Sequence, residues 1–396
     1  MAIEFLDTDD SSECGTIIKV VGVGGAGGNA VEHMIREGVG GVEFICCNTD
    51  AQALKKSSAQ VKLQLGPGLG AGGKPEKARD LAQADKERIA DVLRGAHMVF
   101  ITAGMGGGTG TGAGPVVAEV ARELGILTVA VVTKPFEFEG RRKRLAEEGV
   151  AQLQQQVDSL IVILNEKLEE VLGGEVSMLD AFKAADNVLR NAVGGIAEII
   201  NIPGLVNVDF EDVRTVMGEM GKAMMGSAVA SGVDRARIAA EKAVASPLLE
   251  GIELSGARGV LVNITASGSM ALNEYREVMA TIRQYTAAEA TVICGAVFDE
   301  SMEDALRVTV VATGLGGMAA SARKPEMAVI QGLRNGTDGR SMPVYEPSNL
   351  DSVMGTRRTN PQIDAMAGAG IEKSDIPAVL RNRDYDIPAF LKRQSD

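Results

Sequence analysis

Short apolar runs rich in β-branched residues alternate with segments of helical periodicity through the first half of the chain. Such runs favour strands buried on both faces of a parallel sheet, and the periodic segments between them favour crossover helices. The runs predicted as strands are IIKVVGV (17–23), VEFICCN (42–48), MVFITA (98–103), LTVAVVT (127–133) and SLIVIL (159–164). The pattern therefore predicts an α/β fold with a mostly parallel sheet.

The helices expected between these strands are 29–38, 75–95 and 115–125, and Pro75 and Pro115 suit the first turns of the last two. Residues 177–201 keep a helical period over six to seven turns, which predicts one long central helix that joins two domains. The later elements predicted by pattern are helices near 211–225, 234–246 and 273–286, and strands at 259–265, 291–297 and 307–313.

From about Gly314 the periodicity is lost, and glycine, proline and charged residues dominate. We therefore expect a flexible linker there, with order returning when the end of the chain binds a partner. The predicted divisions are a disordered N-terminus (1–14), a ligand-binding α/β domain (15–176), the central helix (177–201), a smaller α/β domain (202–316), the linker (317–373) and a partner-binding peptide (374–396).

Charge and composition exclude several classes of function. The 396 residues include 53 acidic and 40 basic side chains, a net charge of −13, which disfavours nucleic-acid binding. No apolar stretch reaches the roughly 18–20 residues of a membrane span, and the acidic first residues do not form a secretory signal, so we expect a cytoplasmic protein. Four scattered cysteines and two histidines disfavour a zinc site or a disulfide framework.

Two glycine-rich turns are the strongest chemical signal. The first predicted strand runs into GVGGAGGN (22–29), which fits the dinucleotide pattern G-x-G-x-x-G but also fits a tight turn from strand to helix. The strand at 98–103 runs into GMGGGTGTGAGP (104–115), a second turn at the same edge of the sheet. Two sets of backbone donors, with hydroxyls from Thr109 and Thr111, suit a polyanion such as a nucleoside triphosphate. No GxxxxGK[ST] loop occurs, so backbone amides, helix dipoles and a metal must balance the phosphate charge.

The run GGGTGTG (106–112) is the tubulin-type GTPase signature. Together with other motifs it resembles the tubulin/FtsZ family, the bacterial members in particular, over about 15–314 and again at 386–396. The other motifs are GVGGAGGN (22–29), NTDAQAL (48–54), GLGAGGKPE (68–76), PFEFEG (135–140), NEKL (165–168), NVDFEDV (207–213) and DIPAFLKRQSD (386–396).

The resemblance implies a tubulin/FtsZ-like fold with a Rossmann-like GTPase domain. It also implies a GTPase that uses GTP/GDP and Mg²⁺ and polymerises head to tail into filaments of the division ring at mid-cell. Membrane-tethering and regulatory division proteins would bind its C-terminal peptide.

The resemblance also implies roles for individual residues. Asn48 and Asp50 would lie near the phosphates and Mg²⁺, although no residue is assigned as a metal ligand. Glu139 would accept from the ribose with Arg142 nearby, while Phe182, Asp186 and Asn165 would contact guanine. The phosphate loops would comprise Gly25, Ala26, Gly27, Gly28 and Asn29 together with Gly107, Gly108, Thr109, Gly110, Thr111 and Gly112.

Asp186 can accept from both N1–H and the exocyclic amine of guanine, a donor pair that adenine lacks. Read without the resemblance, a Phe at helical spacing such as Phe182 is more often a core residue.

Asn207, Asp209 and Asp212 lie beyond the central helix. By resemblance they act in trans, completing the site of the adjoining subunit by orienting water against the γ-phosphate. The plain alternative is that Asp209 caps a helix and Asp212 is a first-turn acid, and both interpretations can hold together. The central helix would then couple the base contacts to this acidic loop.

This chain departs from the family pattern in two places. About three residues are missing between Leu65 and Gly70, and Lys74 stands where Asn is common, so the sensing of the γ-phosphate by this loop is in question. One residue is missing near EGRRKR, so either Arg142 or Lys143 corresponds to the family's arginine; Arg142 is preferred.

Near the end, DIPAVLR (375–381) and DIPAFLK (386–392) are near copies. By resemblance the second binds membrane-tethering partners. The first is either a weaker accessory site or a chance repetition.

Two other functions remain open from the residues alone. GVGGAG by itself fits an NAD-dependent oxidoreductase, but that function leaves 104–115 unexplained. A filament protein without hydrolysis would need the acids at 209 and 212 to be helix caps only.

Overall fold

The computed structural model describes residues 15–172, 177–202, 206, 208–219, 221–246 and 256–315, with backbone alone at 169–172. All of them belong to one compact unit, Met1–Ala322. The predicted N-terminal segment (1–14), Asn207, the linker (317–373) and the C-terminal peptide (374–396) lie outside the described residues. Within the described part, no helix is long and apolar enough to cross a membrane.

The strands form a single sheet. In chain order they are β1 (Ile18–Val23), β2 (Glu43–Asn48), β3 (Val61–Gln64), β4 (Met98–Gly104), β5 (Leu127–Lys134), β6 (Ser159–Leu164), β7 (Gly221–Ser231), β8 (Gly259–Ala266), β9 (Thr291–Phe298) and β10 (Ala305–Leu315). All eight strands predicted from the apolar runs are confirmed, while β3 and β7 were not predicted.

The helices lie between the strands. They are α1 (Gly24–Arg36), α2 (Ala51–Lys56), α3 (Pro75–Ala84), α4 (Lys86–Leu93), α5 (Thr109–Glu123), α6 (Arg141–Gln154), α7 (Asn165–Leu172), α8 (Met178–Asn201), α9 (Phe210–Met217), α10 (Arg235–Val244) and α11 (Leu272–Tyr285). Among the described residues, short 3₁₀ segments at Glu137–Glu139 and Glu300–Met302 follow β5 and β9.

The strand order is β3-β2-β1-β4-β5-β6-β7-β10-β8-β9. The strands from β3 to β6 are parallel, as the pattern predicts, and β7 continues the sheet by parallel pairing with β6. β10 then pairs antiparallel with both β7 and β8. One sheet therefore runs through both predicted α/β regions.

Alternating strand residues enter opposite cores, which explains the continuous apolar runs. In β1, Ile18 and Val20 pack into one core, whereas Val21 and Val23 pack into the other. Both faces of the parallel strands are therefore buried against helices.

Three local predictions were wrong. The helix expected at 211–225 ends at Met217, and the following Ala- and Met-rich residues form β7 because β10 pairs with them along their length. The single helix at 75–95 is divided at Asp85, whose carboxylate accepts from Gly66 N at 2.9 Å. Pro115 lies inside α5 rather than in its first turn, because that helix already begins at Thr109.

The long central helix is confirmed as α8, with 24 residues or about 36 Å of length. Ser177 caps its N-terminus by accepting from Asp180 N at 3.2 Å. Its apolar stripe packs into the core, and His33 of α1 contacts Asn187 at 2.7 Å. Further along, Glu198 pairs with Arg307 of β10 at 3.0 Å. The helix thus spans from the first crossover helix to the last strand.

Candidate functional site

The N-termini of α1 and α5 lie side by side where β1 and β4 end. Gly24 has a φ of +77°, and a Cβ there would lie 2.9 Å from Gly110 N, so only glycine is tolerated at this crossing. Both predicted phosphate loops are therefore largely first helical turns, because α1 begins at Gly24 and α5 at Thr109. Helix N-termini offer unpaired N–H groups and a partial positive charge, and we refer to this pair of helix starts as the cradle.

The glycines of the cradle divide into two groups. A Cβ on Gly27 would collide with the carbonyl oxygen of Thr102, and one on Gly112 with that of Pro75. Glycine at those positions serves the packing of the protein against itself. At Gly25, Gly28 and Gly107, by contrast, a Cβ would have no neighbouring atom within 4 Å, so these three face open space where a ligand can approach the backbone. The other packed members of the predicted loops are Gly108, beside Ala71, Gly110, beside Gly104, and Ala26, whose Cβ lies against Gly104.

The hydroxyls of the second loop already have partners. Thr109 shares a 2.7 Å hydrogen bond with Thr49, which joins the start of α5 to the end of β2. Thr111 is buried, and its Oγ1 accepts from Gly106 N at 2.9 Å. Thr111 therefore shapes the loop from within, whereas Thr109 lies at its rim. Thr49 was not predicted, although it stands inside the NTDAQAL motif.

Asn48 and Asp50 line a cavity of about 340 Å³ with Gly25, Gly28 and Asn29 of α1. Asn48 is buried, and its Oδ1 accepts from Asp50 N at 3.2 Å. Asp50 caps α2 by accepting from Gln52 N through Oδ1 at 2.8 Å. Both side chains are therefore held by local backbone contacts beside the cradle.

Cys46 and Cys47 extend the wall of this cavity. Burial raises the pKa of both thiols, that of Cys47 to about 12, so both stay neutral near pH 7. No cluster of three or more His, Cys, Asp or Glu side chains able to hold a metal occurs in the described part of the chain.

The segment after β3 is fastened to the end of β2. Gly70 N donates to Thr49 O at 2.8 Å, and Ala51 N donates to Gly68 O at 3.0 Å. Leu69, between them, is 86% exposed. The shortened loop is therefore anchored beside the cavity.

Glu139 and Arg142 form a pair at the end of β5. Arg142 lies 2.6 Å from one carboxylate oxygen of Glu139, and the other oxygen accepts from Phe136 N at 3.2 Å. Lys143 instead pairs with Glu137 at 2.6 Å. Of the two basic residues that the sequence left as alternatives, Arg142 is thus the one that contacts Glu139.

Phe182, on the first turns of α8, is 45% exposed, and its ring centroid lies 6.0 Å from that of Phe136. Phe136 was not predicted as a site residue, yet it joins Phe182 to Glu139 through its ring and its N–H. Phe182 is therefore partly exposed to solvent and is not enclosed in the core.

Asp186 lies one turn further along α8. Burial raises its pKa to about 6, and His33 and Arg36 of α1 oppose this shift. Asn165, the first residue of α7, is 5% exposed, and its Oδ1 is one of the buried side-chain oxygens without a hydrogen-bond partner among the described residues. An unpartnered buried acceptor is costly unless a donor fills it, which a ligand can do.

Asp209 and Asp212 form a reciprocal capping box at the start of α9. Asp212 N donates to Asp209 Oδ1 at 2.8 Å, and Asp209 N donates to Asp212 Oδ2 at 3.4 Å. Both side chains are exposed. The capping role weighed from the sequence is therefore present.

The acidic box lies far from the cradle within one molecule. Phe210 of α9 contacts the ring of His97 at 6.1 Å, and His97 immediately precedes β4. The cradle lies at the other end of β4, whose seven residues span about 20 Å.

Two family models match the chain: the GTPase domain of the Tubulin/FtsZ family over residues 17–173, and the C-terminal domain of the FtsZ family over residues 221–316. The Cell division protein FtsZ of Pseudomonas putida is 52% identical, with 96% of this chain and 97% of the relative covered. That of Buchnera aphidicola subsp. Acyrthosiphon pisum is 60% identical at the same coverage. The solved structure "FtsZ dimer, empty (M. jannaschii)" superposes with a TM-score of 0.73 at 43% identity, over 77% of this chain and 89% of that one.

Proposed function

Because the chain belongs to the tubulin/FtsZ family, we propose that it is a GTPase of bacterial cell division that assembles head to tail and hydrolyses GTP to GDP and phosphate between subunits. The observation that carries this proposal is the separation of the acidic box at Asp209 and Asp212 from the cradle by the length of β4. One subunit cannot bring them together, whereas a head-to-tail contact can.

The cradle would hold the phosphates by backbone N–H groups. Gly25, Gly28 and Gly107 leave the approach open, and the aligned N-termini of α1 and α5 supply positive potential. This arrangement replaces the lysine of a P-loop with fixed dipoles, which need no reorganisation when charge develops on the phosphates.

Guanine would lie against α8. Phe182 would stack on the base, Asp186 would accept from N1–H and the exocyclic amine, and Asn165 Oδ1 would gain the donor that it lacks. Glu139 would accept from a ribose hydroxyl while Arg142 holds the carboxylate in position. Adenine would leave Asp186 facing an acceptor rather than two donors, which accounts for selection of guanine.

The site fits Mg²⁺ bound mainly through the nucleotide. Asn48 and Asp50 place oxygen atoms that could coordinate a metal ion beside the cradle. The cap of α2 uses Oδ1 of Asp50 and leaves its Oδ2 available. Magnesium favours such oxygen ligands together with phosphates and water. When bound, the ion would neutralise phosphate charge.

The capping box leaves Asp209 Oδ2 and Asp212 Oδ1 free of the contacts that hold the box. In a filament these carboxylates would face the adjoining cradle and orient the attacking water, with Asn207 beside them by resemblance. Hydrolysis would then require assembly.

The test is GTP turnover measured against protein concentration. The rate per subunit should be near zero in dilute protein and should rise steeply where light scattering reports filaments. A full rate in strictly monomeric protein would contradict hydrolysis between subunits.

The C-terminal copy DIPAFLK (386–392) is proposed as the peptide that binds membrane-tethering and regulatory division proteins, and thereby brings filaments to mid-cell. The first copy, DIPAVLR (375–381), is proposed as a weaker accessory site that raises the local chance of rebinding. Scrambling each copy in turn tests this. Unchanged partner affinity after substitution of Ile376 and Leu380 would dispose of the accessory role.

A further inference from the structure

Lys74 places a cation at the rim of the cradle. It is exposed and immediately precedes Pro75, the first residue of α3. Within the described residues, its ammonium group has no hydrogen bond or ion pair. No protein contact has to break when this side chain turns towards an anionic ligand, so the main cost is the conformational entropy lost in ordering it.

Three other cations near the cradle are engaged in protein contacts, whereas Lys56 lines the cavity beside it. Arg142 lies 2.6 Å from Glu139, and Lys143 lies 2.6 Å from Glu137. The ammonium of Lys77, one turn into α3, donates to Gly70 O at 3.1 Å. Compared with these three, Lys74 is the cation available to a ligand.

The backbone of Lys74 is fixed close to the second helix start. A Cβ on Gly108 would lie 3.1 Å from Lys74 N and 2.9 Å from the side chain of Ala71. Next to this contact, the carbonyl of Pro75 packs against Gly112. The starts of α3 and α5 are therefore packed tightly together. The backbone of Lys74 is held in place, whereas its side chain is free to move.

The order of loops along the sheet edge indicates which part of a nucleotide lies near Lys74. Phe136 and Glu139 follow β5, and Asn165 follows β6, so the base and ribose contacts gather on that side. The segment 66–74 follows β3, at the far end of the order β3-β2-β1-β4-β5-β6. With the base on the β5–β6 side and phosphates over α5 and α1, the last phosphate points towards β2 and β3.

We propose that the Lys74 ammonium binds the terminal phosphate of a nucleoside triphosphate and makes this site discriminate triphosphate from diphosphate. The inference rests on the proposed binding of GTP in the cradle. Lysine is a compact point charge with three donors, well suited to a phosphate that changes between states. The ammonium group of Lys74 would supply a mobile cation to a site that is otherwise built from the fixed dipoles of backbone N–H groups.

The test compares GTP and GDP dissociation constants at protein concentrations too low for assembly. Lys74→Ala should weaken GTP about tenfold, as expected for loss of a charge-assisted contact, and GDP less than twofold. Lys74→Arg should keep most of the preference for GTP. Lys55→Ala is the matched control, because it removes the same charge from an exposed position in the last turn of α2, away from the start of α3.

Results that contradict the role of Lys74 differ from those that contradict the proposed binding of GTP. Equal weakening of GTP and GDP, or an unchanged ratio in Lys74→Ala with a wild-type unfolding temperature, would overturn the role of Lys74. Normal GTP binding with impaired assembly would also overturn it, because Lys74 would then contact the neighbouring subunit. A wild-type chain that binds neither nucleotide would instead contradict the proposed function.

Discussion

If Asp186 contacts guanine as proposed, we expect recognition of the base to be sensitive to pH. The pKa of Asp186 is raised to about 6 because the carboxylate is partly buried, and only the ionised form can accept from both guanine donors. We expect GTP affinity to be nearly constant above pH 7 and to fall about tenfold between pH 7 and pH 5, measured by equilibrium binding in dilute protein. Asp186→Asn should bind weakly with a flat profile; a wild-type profile equally flat would contradict this.

The same pKa predicts an effect on stability. A carboxyl whose folded pKa exceeds its unfolded value of 3.8 binds its proton more tightly when folded, so its contribution is most favourable at low pH and is lost as pH rises through 6. At pH 7, Asp186→Asn should therefore raise the free energy of unfolding by about 1–2 kcal/mol, allowing for partial solvent exposure. Urea titration at pH 7 and pH 4 checks the sign, since the gain should vanish at the lower pH.

Asp209 caps α9 and is proposed to take part in hydrolysis, and a single residue change can separate the two roles. Asp209→Ser keeps a good N-cap for α9 but removes the carboxylate, so the free energy of unfolding should stay within about 0.5 kcal/mol while GTP turnover in filaments collapses. Asp209→Ala should lose turnover and also about 1 kcal/mol of stability. Phosphate release together with urea unfolding measures both effects. Normal turnover by Asp209→Ser would favour the filament protein without hydrolysis.

At the scale of elements, the two groups of cradle glycines should respond differently to the same change. Gly107→Ala places a methyl group in open space, so the melting temperature should stay near wild type while GTP binding weakens. Gly27→Ala drives α1 off β4 at Thr102 and should unfold the protein several degrees lower. Measurements of melting temperature and of nucleotide affinity distinguish the two variants. Equal destabilisation by both variants would show that the division of the cradle glycines into packed and open positions is wrong.

The elements also show what a single sequence can and cannot predict. Strands such as β1 and β4 were predictable because burial on both faces leaves an uninterrupted apolar run. The strand β7 was not, because its Ala- and Met-rich residues suit a helix locally and become a strand through pairing with β10, some 80 residues away, and with β6. Which glycines face a ligand also depends on where other backbone segments cross, as Pro75 does at Gly112. The contact of Phe136 with Phe182 likewise joins residues that are far apart in the sequence, so the local pattern does not predict it.

At the scale of the whole molecule, the proposed site is divided between two ends of one sheet, and this division can be tested by mixing subunits. A subunit with Asp212→Ala keeps its cradle but lacks a complete acidic box, whereas one with Asp186→Ala keeps the box and has a defective base site. Each alone should be nearly inactive. In a random copolymer at equal amounts, about a quarter of the contacts pair an intact cradle with an intact box, so about a quarter of the wild-type GTP turnover should return. Sedimentation must show that both variants enter the filaments. If they do and turnover stays at the sum of the two separate rates, cradle and acidic box act within the same subunit, which the length of β4 does not allow without a rearrangement of the sheet.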